Sequence, residues 1–237
     1  MRRYRYLLLD LDNTLLDFDR AEETAFFAAF SASGLVADAA VYRRYSEIND
    51  GLWKRLERGE LRRERLKDLR FELLFAACGL GDAAASRVVS ADYFRFLGAQ
   101  SFTLPGAEAV CRALSAEYEL HIITNGTAVI QHSRLAGCGL LPYFSGVYIS
   151  EEVGAAKPSN AYFTHVLRAL GAPDGRGCCV VGDSLTSDID GANAAGLDAV
   201  WLDRRGTGDA QGRRTVSVLH DIRELPAFLR AAQENEN

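Results

Sequence analysis

Short apolar runs recur along the chain at Tyr6–Leu9, Leu120–Ile123, Val147–Ile149, Cys178–Val181 and Ala199–Leu202. Extended segments that are apolar on both faces are what a parallel sheet covered by helices on each side requires. Between the later runs, apolar residues return every three or four positions in Ala107–Tyr118, Ala128–Cys138, Tyr162–Leu170 and Asp188–Ala195. That period lines one face of a helix. Strand alternating with helix implies right-handed crossovers, so the pattern predicts an α/β protein with a doubly wound parallel sheet. Gly206–Arg214 reads as a surface loop, followed by a last short strand around Val216–Val218 and a C-terminal helix.

The alternation is interrupted once, between the first two runs. There Tyr45, Ile48, Leu52 and Leu56 repeat at helical spacing, as do Leu66, Leu69 or Leu73, and Leu74. Gly59 separates the two stripes, and Ala21–Ser33 and Ser86–Phe96 are further helix-like stretches. A structureless loop of this length is uncommon in a compact domain. Residues 17–103 are therefore expected to form an inserted helical cap, with 1–16 and 104–237 forming the main domain and Leu104-Pro105-Gly106 marking the return to the sheet. Because the insertion leaves the first strand just after two aspartates, it is expected to act as a lid over their carboxylates.

Those aspartates end the first run, in Leu9-Asp10-Leu11-Asp12-Asn13-Thr14. Alternate residues of an extended chain point the same way, so Asp10 and Asp12 should emerge together at the strand's C-terminal end, where open α/β sheets bind ligands. Two neighbouring carboxylates repel unless a cation or a shared proton intervenes. Three more polar clusters follow later runs. In Thr124-Asn125-Gly126 a hydroxyl and backbone N–H groups could hold a phosphate oxygen, or Thr124 could simply cap the next helix. Lys157, before Pro158 at a predicted helix start, could neutralise a phosphate and a carboxylate, or sit solvated at the surface. In Gly182-Asp183-Ser184-Leu185-Thr186-Ser187-Asp188, the two aspartates could face one cavity and offer the hard oxygen ligands Mg²⁺ prefers, or serve as turn and cap residues. Asp190 reads as a surface carboxylate favoured by the helix dipole.

Composition narrows the class. Hydrophobic content of 48% with 25% charged residues is that of a globular protein. The net charge of −5 argues against a nucleic-acid backbone as partner. Arg2, Arg3 and Arg5 precede an apolar stretch that stops at Asp10, too short for a signal peptide, and no apolar segment approaches the roughly 20 residues that span a bilayer. The five cysteines, Cys78, Cys111, Cys138, Cys178 and Cys179, are odd in number and lack a C-x-x-C. They are read as small buried hydrophobes, which fits a reducing cytoplasm. Oligomeric state leaves no mark in the sequence.

Together the four clusters resemble the motifs of the haloacid dehalogenase superfamily of phosphatases: DLDNT at Asp10–Thr14, Thr124 in ITNGT, Lys157 in AAKPS, and GDSLTSDIDGA around Asp183 and Asp188. The resemblance spans nearly the whole chain and implies a Rossmann-like core with a helical cap after the first motif. It further implies that Asp10 is a nucleophile forming an aspartyl-phosphate. Asp12 would protonate the leaving oxygen and then activate water. Thr124 and Lys157 would hold the transferring phosphoryl group, with Asn125 and Gly126 beside it. The Asp10 carboxylate, the Asp12 backbone carbonyl and Asp183 would bind Mg²⁺, supported by Asp188 directly or through water. Here Ser159 stands where relatives often carry an Asp after Lys-Pro, and it can cap the same helix.

Superfamily dehalogenases lack an acid at the position of Asp12, so the resemblance implies phosphate rather than halide chemistry. Segments such as LLDLDNTLLDFDRAE, INDGLWKRLERGEL, ISEEVGAAKP and GLDAVWL resemble house-cleaning pyrimidine 5′-nucleotidases. That branch implies a small phosphorylated metabolite, a pyrimidine nucleoside 5′-monophosphate, as substrate. Phosphoglycolate, a sugar phosphate or an N-acylneuraminate phosphate are the alternatives. Phe18, Asn49 and Trp53 are candidates to contact base and sugar, with cap core the favoured reading of Trp53. A non-catalytic binding protein on the same fold would be expected to have lost a nucleophile, acid or lysine, and Asp10, Asp12, Thr124, Lys157, Asp183 and Asp188 all stand.

Overall fold

A computed structural model describes residues 4–234; Arg2 and Arg3, ahead of the first strand, lie outside them. The chain divides into two compact units, residues 4–18 with 101–234, and Asp19–Gln100.

The first unit is built on β1 (Tyr6–Leu9), β2 (Glu119–Thr124), β3 (Gly146–Ile149), β4 (Cys178–Gly182), β5 (Asp198–Leu202) and β6 (Ser217–Leu219). These six strands form one sheet in the order β3-β2-β1-β4-β5-β6, and every pairing is parallel. The apolar runs read the strands correctly because each side of the sheet has its own core. Leu7, Leu9, Leu120, Ile122, Cys179 and Val181 face one, and Tyr6, Leu8, Ile123, Cys178 and Val180 the other. Helices α5 (Ala107–Ser115), α6 (Ala128–Cys138) and α10 (Leu225–Glu234) cover the first face, while α8 (Asn160–Ala169) and α9 (Asp190–Ala194) cover the second. The one-turn α7 (Ser150–Val153) follows β3. The order reverses beside β1: successive strands go to one side as β2 and β3, then β4 returns to the other. The C-terminal ends of β1 and β4 thus form the switch point at which such sheets bind ligands.

Three of the departures from expectation have a plain local cause. Helix α5 stops at Ser115, because Ala116–Tyr118 turn back, with the Glu117 and Tyr118 amides donating to Leu114, and set Glu119 beside Tyr6. The helix after Pro158 begins at Asn160 rather than at the proline, since Ser159 is its N-cap and its hydroxyl accepts from the Tyr162 amide at 3.3 Å. Asp188 does not open an α-helix. It lies in a wide turn, Leu185–Ile189, whose amide of Ile189 donates to Ser184 five residues back, before α9 begins. Such π-type turns are rare and concentrate at functional sites.

The second unit holds α2 (Ala39–Glu57), α3 (Arg63–Cys78), α4 (Ala83–Gly98) and all of α1 (Phe18–Ala32) except its first residue. Asp38 and Asp82 cap α2 and α4, each accepting two amides of the first turn at 2.9–3.0 Å. Leu66 and Leu74 are buried as the stripe predicts, but Leu73 is 40% exposed. Arg70 and Phe71 take the inward positions between them. At the centre lies a polar knot: Glu22 Oε1 accepts from Tyr45 Oη at 3.1 Å, Asn49 Nδ2 at 2.9 Å and Tyr93 Oη at 3.2 Å. Burial pushes the Glu22 carboxyl up to about 7, against the pull of Arg70 and the two tyrosine hydroxyls.

All five cysteines are unbridged. Among the described residues, no helix is long and apolar enough to cross a membrane.

Candidate active site

The hub of the site is the ammonium of Lys157. Its Nζ donates to Asp10 Oδ1 at 2.6 Å, Asp188 Oδ1 at 2.7 Å and the Ile123 carbonyl at 2.9 Å, using all three donors of the group. Lys157 is 2% exposed, so the solvated-surface reading is excluded. Asp10 leaves the end of β1, and its amide donates to Val181 at 2.9 Å, which extends the pairing of β1 with β4 past the last strand residue. Asp188 is held from its other side, Oδ2 accepting the Ser184 amide at 3.1 Å. The wide turn delivers it there. Gly182 permits the approach, because a Cβ at that position would lie 2.2 Å from Asp188 Oδ2.

Asp183 completes a cluster: carboxylate oxygens of Asp10, Asp183 and Asp188 lie within 4.8 Å of one another. Burial, only partly offset by Lys157 and reinforced by Asp188 and Asp12, pushes the Asp10 carboxyl up to about 7. Asp183 is driven well above its ordinary value by burial and then by Asp10 and Asp188. Burial opposes the charge on Lys157, yet Asp10 and Asp188 hold it above the usual lysine range. Three carboxylates against one ammonium leave excess negative charge in a poorly solvated place. Oxygen donors in that number suit a small divalent cation that retains water and takes further oxygens from a phosphate. The donor set fits Mg²⁺.

In the turn after β2, one side chain is engaged within the protein itself. The Asn125 side chain pairs with the Lys157 backbone: Nδ2 donates to the Lys157 carbonyl at 2.8 Å, and Oδ1 accepts its amide at 2.9 Å. Asn125 thus fixes the peptide that carries the hub. Thr124 is 1% exposed. It does not cap α6, whose N-cap is Thr127; its Oγ1 accepts from Gly126 N at 3.3 Å and from Gln131 Nε2 at 2.8 Å.

Asp12 stands outside the three-carboxylate cluster. Its Oδ2 accepts from Gln131 Nε2 at 2.8 Å, and its Oδ1 is paired with Arg134 Nη1. Gln131 and Arg134 were not found from sequence. The available signal was their spacing, three apart on α6 and on the face that also buries Leu135, where a glutamine and an arginine are unusual unless paired. Asn13 follows with φ of 60°, a left-handed conformation that asparagine tolerates. Its Oδ1 accepts the Phe18 amide at 3.1 Å and Arg204 Nη1 at 3.3 Å.

Phe18 lies with its ring 5.4 Å from the Arg134 guanidinium. Asn49 belongs to the helical unit, where it is buried and gives its amide nitrogen to Glu22. Trp53 is half-buried on the same helix, one turn further on. Asp190 is the first residue of α9, and Arg213 grips both its oxygens, at 2.7 and 3.0 Å.

The sequence profile of the haloacid dehalogenase-like hydrolases matches residues 4–196, and the chain belongs to that family. It is 35% identical to the HAD-hydrolase YfnB of Bacillus subtilis over 85% of each chain. It is 38% identical to the pyrimidine 5′-nucleotidase PynA of Streptococcus pneumoniae, over 84% of this chain and 83% of PynA. Its identity to the pyrimidine 5′-nucleotidase YjjG of Escherichia coli is 30%, over 94% of this chain and 98% of YjjG. A crystal structure of YfnB bound to magnesium, which reveals interdomain movement, superposes with a TM-score of 0.90 at 32% identity, covering 96% of this chain and 99% of that one.

Proposed function

We propose that this hydrolase is a Mg²⁺-dependent phosphomonoesterase acting through an aspartyl-phosphate on Asp10, with pyrimidine nucleoside 5′-monophosphates as its substrates. The observation that carries the reading is the Lys157 ammonium shared between Asp10 and Asp188 beside Asp183. Asp10 Oδ2, the oxygen not bonded to Lys157, attacks phosphorus in line as the ester P–O bond breaks, and Asp12 gives a proton to the departing oxygen. Asp12 then takes a proton from the water that attacks the phosphoaspartate, which releases phosphate and restores Asp10. Lys157 and Thr124 hold the oxygens of the transferring group, a task of positioning and charge stabilisation. Magnesium, held by Asp10, Asp183 and the Asp12 carbonyl with Asp188 in support, would neutralise charge on the phosphoryl oxygens. The choice of pyrimidine nucleotides is supported by the similarity to PynA and YjjG.

The test is phosphate release with Mg²⁺ from dUMP, dTMP, UMP, purine monophosphates, phosphoglycolate and hexose phosphates. Highest kcat/KM on the pyrimidine nucleotides is expected, with loss on chelation and recovery on adding Mg²⁺. Asp10→Asn is expected to lower kcat by at least about 10³-fold, as removal of a nucleophile does. Preference for a sugar phosphate or phosphoglycolate would overturn the nucleotide assignment and leave the chemistry. Activity that survives Asp10→Asn would overturn the chemistry.

A further inference from the structure

Arg134 is the largest fully buried side chain of the described residues, at 0% exposure. A buried guanidinium is costly unless paired, and its carboxylate partner is Asp12. The same Nη1 donates to Gln131 Oε1 at 3.1 Å, and Gln131 Nε2 donates to both Asp12 Oδ2 and Thr124 Oγ1 at 2.8 Å. The orientation of this amide is determined by its neighbours. Arginine can only donate and an ionised carboxylate can only accept, so the oxygen of Gln131 must face Arg134 and its nitrogen must face Asp12.

Two consequences follow for the groups it touches. Each oxygen of Asp12 is held by one donor, which fixes the plane of the carboxylate and still leaves each oxygen a second lone pair to carry a proton. The hydroxyl oxygen of Thr124 accepts from Gln131 and from Gly126, so its own hydrogen is directed elsewhere. Gly126 belongs to the same device. A Cβ there would lie 2.3 Å from Gln131 Cγ and Cδ, while its φ is not in the left-handed region. This glycine is required by the glutamine, not by the backbone.

We propose that Gln131 and Arg134 are positioning residues that aim the Asp12 carboxylate at the leaving oxygen and, through the same amide, turn the Thr124 hydroxyl outward to donate to the phosphoryl group. The inference rests on the acid role of Asp12 stated above. Proton transfer needs heavy atoms about 2.6–3.2 Å apart and contributes about 10²–10⁴-fold. A carboxylate free to rotate would forfeit part of that, and only for substrates whose leaving group needs the proton.

The experiment is single-turnover release of the alcohol, at saturating substrate with Mg²⁺, from two esters: the alkyl phosphate best used in the panel above, and p-nitrophenyl phosphate, whose nitrophenolate departs without protonation. Asp12→Asn, Gln131→Met and Gly126→Ala are compared with the unaltered protein. Asp12→Asn is expected to slow the alkyl ester about 10²-fold or more and the aryl ester less than tenfold. Gln131→Met is expected to show the same split, with a loss of at least about tenfold on the alkyl ester and little change in KM. Gly126→Ala, which displaces Gln131 without backbone strain, is expected to reproduce it. Equal losses on both esters in Gln131→Met and Gly126→Ala, or none, beside a split in Asp12→Asn would overturn the positioning role and leave the acid assignment standing. Equal losses in Asp12→Asn would overturn both.

Discussion

His121 sits in the middle of β2 at 5% exposure, with neither ring nitrogen hydrogen-bonded and with the rings of Tyr6 and Tyr148 each 6.0 Å away. Burial lowers its pKa below the ordinary histidine value. The folded protein therefore holds a neutral imidazole at a pH where the unfolded chain already takes up a proton. This residue's contribution to stability is fully present above about pH 6.5 and is lost as pH falls towards the folded value. His121→Leu removes two unsatisfied polar atoms at similar volume. It is expected to raise stability at neutral pH by about 1 kcal/mol and to flatten the loss of melting temperature between pH 7 and 5.5. An unchanged acid slope in thermal melts would refute this. A different economy governs Asp188, whose two oxygens are both bonded and which leaves no room beside Gly182. Gly182→Ala is expected to cost about 2 kcal/mol, the usual range for forcing a methyl into a packed site, and to remove activity. Denaturant titration and phosphate release would show both losses together.

Strands were easier to read than the turns that follow them. Burial on both faces forces a strand to be apolar throughout, and Leu7 to Leu9 could hardly be anything else. The helices of both units were recognisable for a related reason, because one buried face imposes its period. The wide turn at Leu185–Ile189 left no such trace: it exists to place Asp188, and its polar sequence reads equally well as the first turn of an α-helix. The four clusters of the site were legible because each closes an apolar run. The use of their side chains was not, since Asn125 serves a backbone 32 residues away and Gln131 a carboxylate 119 residues away. Contacts of that separation are properties of the sheet order, which periodicity does not specify. Position 73 failed for a simpler reason. The buried face of α3 runs through Leu66, Arg70, Phe71, Leu74 and Phe75, so Leu73 lies off it, and Arg70, paired with the polar centre, took the space that a stripe of leucines would have filled.

The polar centre of the helical unit joins all four of its helices through one carboxylate. Tyr45 and Asn49 reach it from α2 and Tyr93 from α4, Arg70 lies near it from α3, and Asp19 adds a like charge from its own helix. Because the folded pKa of Glu22 is raised to about 7, its protonated form is favoured by folding. That contribution is complete below about pH 4.5 and is lost as pH rises through 7, the reverse of the His121 slope in the other unit. Glu22→Gln mimics the protonated form and is expected to stabilise the protein at pH 8 by up to about 3 kcal/mol, with no gain at pH 4.5. Hydrogen exchange resolved by segment would locate the effect in Asp19–Gln100; a gain independent of pH would refute it.

Where the chain leaves the sheet for these helices and where it returns, the two segments are hydrogen-bonded to each other. The Leu104 amide donates to Leu15 at 2.8 Å, the Asp17 amide donates to Phe102 at 2.9 Å, and Leu16 bridges antiparallel to Thr103. The ends of the insertion therefore meet at the spacing of a β-ladder, about 5 Å, whatever lies between them. To the sheet, the whole insertion is a hairpin connection, and the cost of closing it grows only slowly with its length. What is carried on that neck can therefore vary as a module without disturbing the placement of Asp10 and Lys157 at the sheet.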